Sequence, residues 1–205
     1  MKTSSENLSG HAMTAIIIAG GKARRIKKNK AFLRVGKSTI IENQIEILKQ
    51  IFDHLLIVTN QTRAYRGLGV RTVSDIIREK GSLGGIYSGL IASKTLYNFI
   101  LACDMPLLQP ALITYMIKEI GDHDLVIPQW GDNLEPLHAI YSKRCIHPIE
   151  QLLEEDNLKI IDFLGEVKTR TIKQEEILKY DPNRFSFVNI NTEEDYRKIC
   201  SFGLL

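Results

Sequence analysis

The chain has 205 residues, 44% of them hydrophobic and 25% charged, and a net charge of +3. That length suits one α/β domain that buries its own core, and the near-balanced charge excludes a duplex-wide nucleic-acid footprint. Cys103, Cys145 and Cys200 are odd in number and far apart, which excludes a disulfide framework or a C-x-x-C metal site and fits a reducing cytoplasm; no apolar run is long enough to span a membrane.

Met1–Ala12 is polar and lacks the apolar core of a signal peptide, so residues 1–13 read as a leader without fixed structure, Met13 as an alternative start, and 14–205 as a single domain. Ala15–Ala19 is short, apolar and rich in β-branched residues, the pattern of a strand buried on both faces of a parallel sheet. Gly20 and Gly21 follow, leaving backbone N–H groups free to turn toward an anion. Six cations then fall within nine residues: Lys22, Arg24, Arg25, Lys27, Lys28 and Lys30. A solvated charge run is the ordinary reading of such a stretch. Its place directly after a strand and a glycine pair favours ligand binding, because open α/β sheets bind at the carboxyl ends of their strands. Neither the P-loop nor the G-x-G-x-x-G fingerprint fits the spacing.

Arg34–Ser38 reads as a turn, and Thr39–Phe52 as a helix capped by Ser38 or Thr39. Leu55–Thr59 and Val70–Val73 read as the next strands; the first ends at Asn60-Gln61 and the second at Ser74-Asp75. Asp75 suits a turn or cap, and equally a base or ribose contact. Gly81-Ser82-Leu83-Gly84-Gly85-Ile86 opens a helix to about Ser93, its small residues permitting close backbone approach. Asn98–Cys103 is an apolar strand that runs into Asp104-Met105-Pro106. Pro106 blocks the sheet ladder and leaves Asp104 at the rim. A carboxylate there favours Mg²⁺ holding nucleotide phosphates over a simple cap.

Further on, Ala111–Ile120 is an expected helix and Asp124–Pro128 a strand. Trp130–Asn133 reads as an exposed loop whose tryptophan either stacks on a flat ring or is half-buried packing. Leu137–Tyr141 is a strand in which His138 reads as structural. Helices are expected at Ser142–Leu153 and Lys159–Leu164, and strands at Thr169–Lys173 and Phe187–Asn191. Thr192 caps a last helix with Asp195 in a capping-box position. Alternation places Asn189 and Asn191 on one face of the last strand, as a metal or substrate contact or as a polar rim.

The segment Ala19-Gly20-Gly21-Lys22-Ala23-Arg24-Arg25-Ile26, with Lys30-Ala31-Phe32-Leu33 after it, resembles a nucleotidyltransferase signature. With Gly81–Ile86, Cys103–Pro106, Glu135-Pro136-Leu137-His138-Ala139-Ile140-Tyr141 and Asn189-Ile190-Asn191-Thr192, it resembles the molybdenum cofactor guanylyltransferase family from Thr14 to about Ile199. Two departures stand out: Lys27 where the family carries glycine, and Ser82 where it carries proline. The resemblance implies a three-layer α/β/α, Rossmann-like nucleotidyltransferase fold with a mostly parallel central sheet. It also implies transfer of GMP from GTP to molybdopterin with Mg²⁺, and molybdoenzymes or other cofactor-biosynthesis proteins as partners. Carried onto this chain, Ile18, Ala19, Gly20 and Gly21 cradle the nucleotide, Lys30 contacts its phosphates, Asn60 and Asp75 contact guanosine, and Asp104 binds the metal. Arg25, Lys30 and Asp104 would carry catalysis by alignment and charge neutralisation. Alternatives on the same core are a molybdopterin cytidylyltransferase or a sugar-phosphate nucleotidyltransferase. From another class, a non-catalytic nucleotide-binding accessory protein is possible. An RNA binder is weaker, for want of interleaved aromatics beside the basic run.

Overall fold

The structure, a computed structural model, describes residues 10–20 and 29–201. Its centre is β1 (Thr14–Ile18), every residue of which is buried. β1 pairs in parallel with β4 (His54–Val58) on one side and β6 (Tyr97–Ala102) on the other. Ile18 stands level with Val58 and with Ala102, so three strands deliver their carboxyl ends to one line. β5 (Arg71–Val73) extends the sheet beyond β4, again in parallel.

On the far side β9 (His138–Ser142) runs antiparallel to both β6 and β7 (Leu125–Trp130), which restores β7 to the direction of β1; β10 (Thr169–Ile172) lies parallel on β7. The order is β10-β7-β9-β6-β1-β4-β5, with β8 (Asn133–Leu134) off β7 and a separate hairpin of β2 (Arg34–Val35) and β3 (Ser38–Thr39).

Helices cover both faces. α1 (Ile40–Lys49) and α3 (Pro110–Lys118) bury Ile41, Ile45, Leu48, Leu112, Ile113 and Met116 against one face of the sheet. α2 (Gly81–Ala92) and α4 (Ile146–Glu154) bury Leu83, Ile86, Leu90, Ile149 and Leu152 against the other. Each such side chain contributes about 1.5–3 kcal/mol of transfer free energy. α1 begins where Thr39 and Glu42 form a reciprocal capping box, and Pro110 opens α3, where its missing N–H costs no helical bond. α2 lies unusually close to the sheet: a Cβ on Gly85 would come within 2.9 Å of Ile18 Cγ2, and one on Gly89 within 2.7 Å of Ile16 Cγ2. After α4 come a short α5 (Gln174–Ile177) and the last helix, α6 (Glu193–Ser201).

Several expectations change. Phe187–Asn191 is not a strand: Phe185–Phe187 forms a 3₁₀ turn and the chain then runs irregularly to α6. The buried carboxylate of Asp181 accepts the N–H groups of Phe185 (2.9 Å) and Ser186 (2.8 Å), drawing the backbone away from any sheet edge. Ile160–Glu166 is a 3₁₀ helix rather than an α-helix, and Lys143–Cys145 forms a 3₁₀ turn ahead of α4, started by Ser142, whose hydroxyl accepts from Arg144 N. Trp130 ends a strand and Asn133 begins one, joined through Gly131 at φ +56°. Gly10–Ala12 forms a 3₁₀ turn and Met13 is fully buried, so the packed body starts upstream of Thr14.

Candidate active site

The site lies along the carboxyl edge shared by β1, β4, β5 and β6. β1 is pinned at its exit from both sides: Ala19 N donates to Val58 O (2.8 Å) and Ile18 O accepts from Cys103 N (3.1 Å). Ile18 and Ala19 are consequently buried floor, and Gly20 is the exposed residue above them. Gly21 and Arg25, the other two expected contacts in this stretch, lie outside the described residues.

Two clusters stand on this floor. In the first, Asn60 at the end of β4 and Asp75 after β5 grip each other: Asn60 Nδ2 donates to Asp75 Oδ2 (2.7 Å), and Asp75 N donates to Asn60 Oδ1 (3.2 Å). A Cβ on Gly20 would lie 4.0 Å from Asp75 Oδ2, and one on Gly85 3.9 Å from Asp75 Oδ1. The carboxylate therefore sits between Gly20 and α2. Ser88 of α2 secures this loop, accepting from Ile76 N (2.8 Å) while donating to Gly84 O (2.7 Å). Burial raises the Asp75 carboxyl above the usual carboxylate range, and the Asn60 amide partly offsets it.

In the second cluster, Lys30 opens a 3₁₀ turn capped by Asn29, whose amide also donates to Gln61 Oε1 and Tyr65 OH, each at 3.2 Å. Lys30 Nζ donates to Asn191 Oδ1 (2.8 Å) and stands 3.6 Å from Asp104 Oδ2. Asp104 follows β6 in a turn held from below. Gln44, fully buried on α1, donates through Nε2 to Ala102 O (2.9 Å) and Met105 O (2.8 Å), and Asp104 O accepts from Ile190 N (2.9 Å). Burial raises the Asp104 carboxyl, against the pull of the Lys30 ammonium.

Lys30, Asp104 and Asn191 thus come together, as do Gly20, Asn60 and Asp75. Asn189 does not join them, because its side chain donates back to Phe187 O (3.3 Å). His138 is fully buried between the edges of Phe99 and Phe187 and is structural. Trp130 carries the Arg184 guanidinium over its ring, 3.8 Å from the centroid. Sequence reasoning missed Gln44, although its position on the buried stripe of Ile41, Ile45 and Leu48 marks a polar group that must find buried partners. Among the described residues no three His, Cys, Asp or Glu side chains cluster as metal ligands, and no helix is long and apolar enough to cross a membrane.

Residues 15–168 match the family model of the MobA-like NTP transferase domain. A molybdenum cofactor guanylyltransferase of Desulfosudis oleivorans is 38% identical over 189 residues, covering 91% of this chain and 94% of that protein. A probable molybdenum cofactor guanylyltransferase of Natranaerobius thermophilus is 39% identical over 189 residues, covering 89% and 92%. In fold, the chain is similar to molybdopterin-guanine dinucleotide biosynthesis protein A of Archaeoglobus fulgidus, with a TM-score of 0.80 at 23% identity over 93% of this chain and 98% of that one. With a nucleotidyltransferase fold and a lysine–carboxylate pair on the sheet edge beside Gly20, the chain belongs to the MobA-like NTP transferases, within the molybdenum cofactor guanylyltransferase family.

Proposed function

We propose that the protein transfers GMP from GTP to molybdopterin in the cytoplasm, forming the guanine dinucleotide of the cofactor and releasing pyrophosphate. The observation that carries this is the 3.6 Å approach of Lys30 to Asp104 on the edge that also holds the Asn60–Asp75 pair. It supplies phosphate charge neutralisation and a base-reading carboxylate on one continuous surface. Guanine offers its ring N–H and exocyclic amine as adjacent donors. A carboxylate such as Asp75 accepts both, and the pairing favours the charged carboxylate that burial alone disfavours.

The Asp104 carboxylate and the Asn191 amide oxygen are hard oxygen donors beside an ammonium group. This sparse set suits Mg²⁺, which binds through one or two protein oxygens and substrate phosphates. Bound there, Mg²⁺ would neutralise charge on the triphosphate oxygens. In the reaction a terminal phosphate oxygen of molybdopterin bonds to the α-phosphorus of GTP, the bond from that phosphorus to the β-phosphate bridging oxygen breaks, and pyrophosphate leaves with the electron pair. The nucleophile is already an anion, so no general base is needed. Lys30 holds the phosphates and offsets their charge, while Gln44 and Ile190 N fix the turn from which Asp104 projects.

The test is thermal unfolding with GTP, CTP or UTP, with and without Mg²⁺, followed by pyrophosphate release on adding molybdopterin. GTP with Mg²⁺ should protect most and turn over. Preferential protection by CTP, or GTP binding without pyrophosphate release, overturns the proposal.

A further inference from the structure

A second group of side chains occupies the same edge two strands away. β6 and β7 both pair with β9, and their registers place Phe99 and Val126 opposite the same residue, Ile140. Beyond Val126 the pairing of β7 passes to β8, with Trp130 opposite Asn133, so Trp130 stands at the carboxyl end of β7, on the same sheet edge and two strands from the end of β6 that leads into Asp104. The nucleotide elements lie on the opposite side of β6, Gly20 at the end of β1 and Asn60 and Asp75 beyond it at the ends of β4 and β5. Trp130, Arg184 and Glu135 therefore lie on the β9 side of Asp104, away from the Asn60–Asp75 cluster.

The geometry of this group is built. Arg184 has φ +57° and ψ +30°, a left-handed conformation that costs a residue other than glycine and is held only where the surroundings enforce it. The enforcement is visible: Arg184 N donates to Asp181 O (3.1 Å), and the buried Asp181 carboxylate takes the next two N–H groups. The guanidinium is thereby laid on the Trp130 ring, while its Nε is buried without a hydrogen-bond partner among the described residues. Glu135 is half-buried in the connection from β8 to β9, its N donating to Pro128 O of β7 (3.0 Å). Burial raises its carboxyl, and the Arg184 charge opposes that rise. A strained arginine, the flat guanidinium–indole stack it forms and a partly desolvated carboxyl are what a planar, amide-edged heterocycle needs: a planar surface to lie against, a donor for its carbonyl and an acceptor for its N–H groups.

We propose that Trp130, Glu135 and Arg184 are specificity-determining residues that recognise the heterocycle of the acceptor, a pterin, while its phosphate reaches Asp104 and Lys30. The proposal rests on the guanylyltransferase reading above. One strap of chain joins the two ends, since the segment that begins at Asp181 and carries Arg184 also carries Ile190, bonded to Asp104 O, and Asn191, bonded to Lys30.

Trp130 is the only tryptophan in the chain, so its fluorescence reports this place alone. Molybdopterin titrated into the whole protein should change Trp130 emission saturably, with Trp130→Phe as the optical blank, and GTP alone should leave it unchanged. Arg184→Asn, chosen because asparagine tolerates the left-handed backbone, and Glu135→Gln should each raise KM for molybdopterin about tenfold or more. In both variants kcat at saturating acceptor and protection by GTP should stay within about twofold of wild type. Wild-type turnover with no acceptor-dependent change in Trp130 emission overturns the inference and leaves the proposed function standing. So do variants that lose thermal stability while keeping their KM. Absence of pyrophosphate release in the wild-type protein overturns the function itself.

Discussion

Replacing His138 with leucine should flatten the acid side of the protein's stability profile. The imidazole is fully buried, 5.0 Å from the Phe99 ring centroid and 5.3 Å from that of Phe187, and neither ring nitrogen has a hydrogen-bond partner among the described residues. Burial pushes its pKa from 6.5 down to about 3. Between those values the unfolded chain binds a proton that the folded chain refuses, so the wild-type protein loses stability as pH falls. The slope approaches 1.4 kcal/mol per pH unit, and the loss between pH 6.5 and 4.5 is about 2 kcal/mol. Asp75, Asp104 and Glu135 work in the opposite sense: burial raises their carboxyl pKa values, so the folded state takes up their protons first and gains stability on acidification. These contributions are common to both proteins and cancel in the difference. Urea denaturation of wild type and His138→Leu at steps from pH 7 to 4.5, analysed with a shared m-value, gives that difference directly. It should shift in favour of the variant by about 2 kcal/mol across the range. Parallel profiles, within about 0.5 kcal/mol of each other, would refute the claim that this imidazole is folded in its neutral form.

Asp104→Asn should fold with unchanged or higher Tm, because it removes a desolvated charge, and should lose about a hundredfold or more in transfer rate at saturating Mg²⁺. Near-wild-type turnover would remove Asp104 from the reaction. Gln44→Ala leaves the carbonyls of Ala102 and Met105 without their buried donor and should cost about 2 kcal/mol or more in urea denaturation, along with transfer rate. Gly89→Ala should destabilise by about 1–3 kcal/mol despite its better helix propensity, since the new methyl meets the β-branched Ile16 at 2.7 Å; Gly165→Ala, with nothing within 4 Å, should stay within about 0.5 kcal/mol of wild type.

The central strand, the helices on either side and the rim position of Asp104 were all legible, because each rests on a local rule: an unbroken β-branched run, helical spacing, and a proline that ends a ladder. The capping box at Thr192 was equally readable, with Asp195 N donating to Thr192 Oγ1 (3.1 Å) and Thr192 N to Asp195 Oδ2 (2.8 Å), while at Thr39, expected only as one of two caps, the reciprocal Glu42 bond completes a second box. Val188-Asn189-Ile190-Asn191 misled for a related reason. Its period-two pattern is that of a strand, but a carboxylate at Asp181 competes for the backbone just upstream. Two amides expected on one face then point to different partners, Phe187 O and Lys30 Nζ. The partner of Trp130 is 54 residues further along, which no local pattern reveals. Preference for guanine was likewise absent from spacing and charge. It came with the family resemblance, and the guanylyltransferase relatives at 38% and 39% identity support it.

Where a helix rests on a sheet through leucines, a new neighbour can be absorbed by a rotamer hop. At Gly85 and Gly89 only main chain faces Ile18 and Ile16, and nothing on the helix side can swivel. Any change in strand width must displace the whole of α2, and Ser88 moves with it, carrying the amide of Ile76 and the neighbouring Asp75. If Asp75 reads the base as proposed, the interior of this enzyme and its choice of base are mechanically geared. Substitutions deep beneath the floor should therefore retune nucleotide selection without touching the nucleotide.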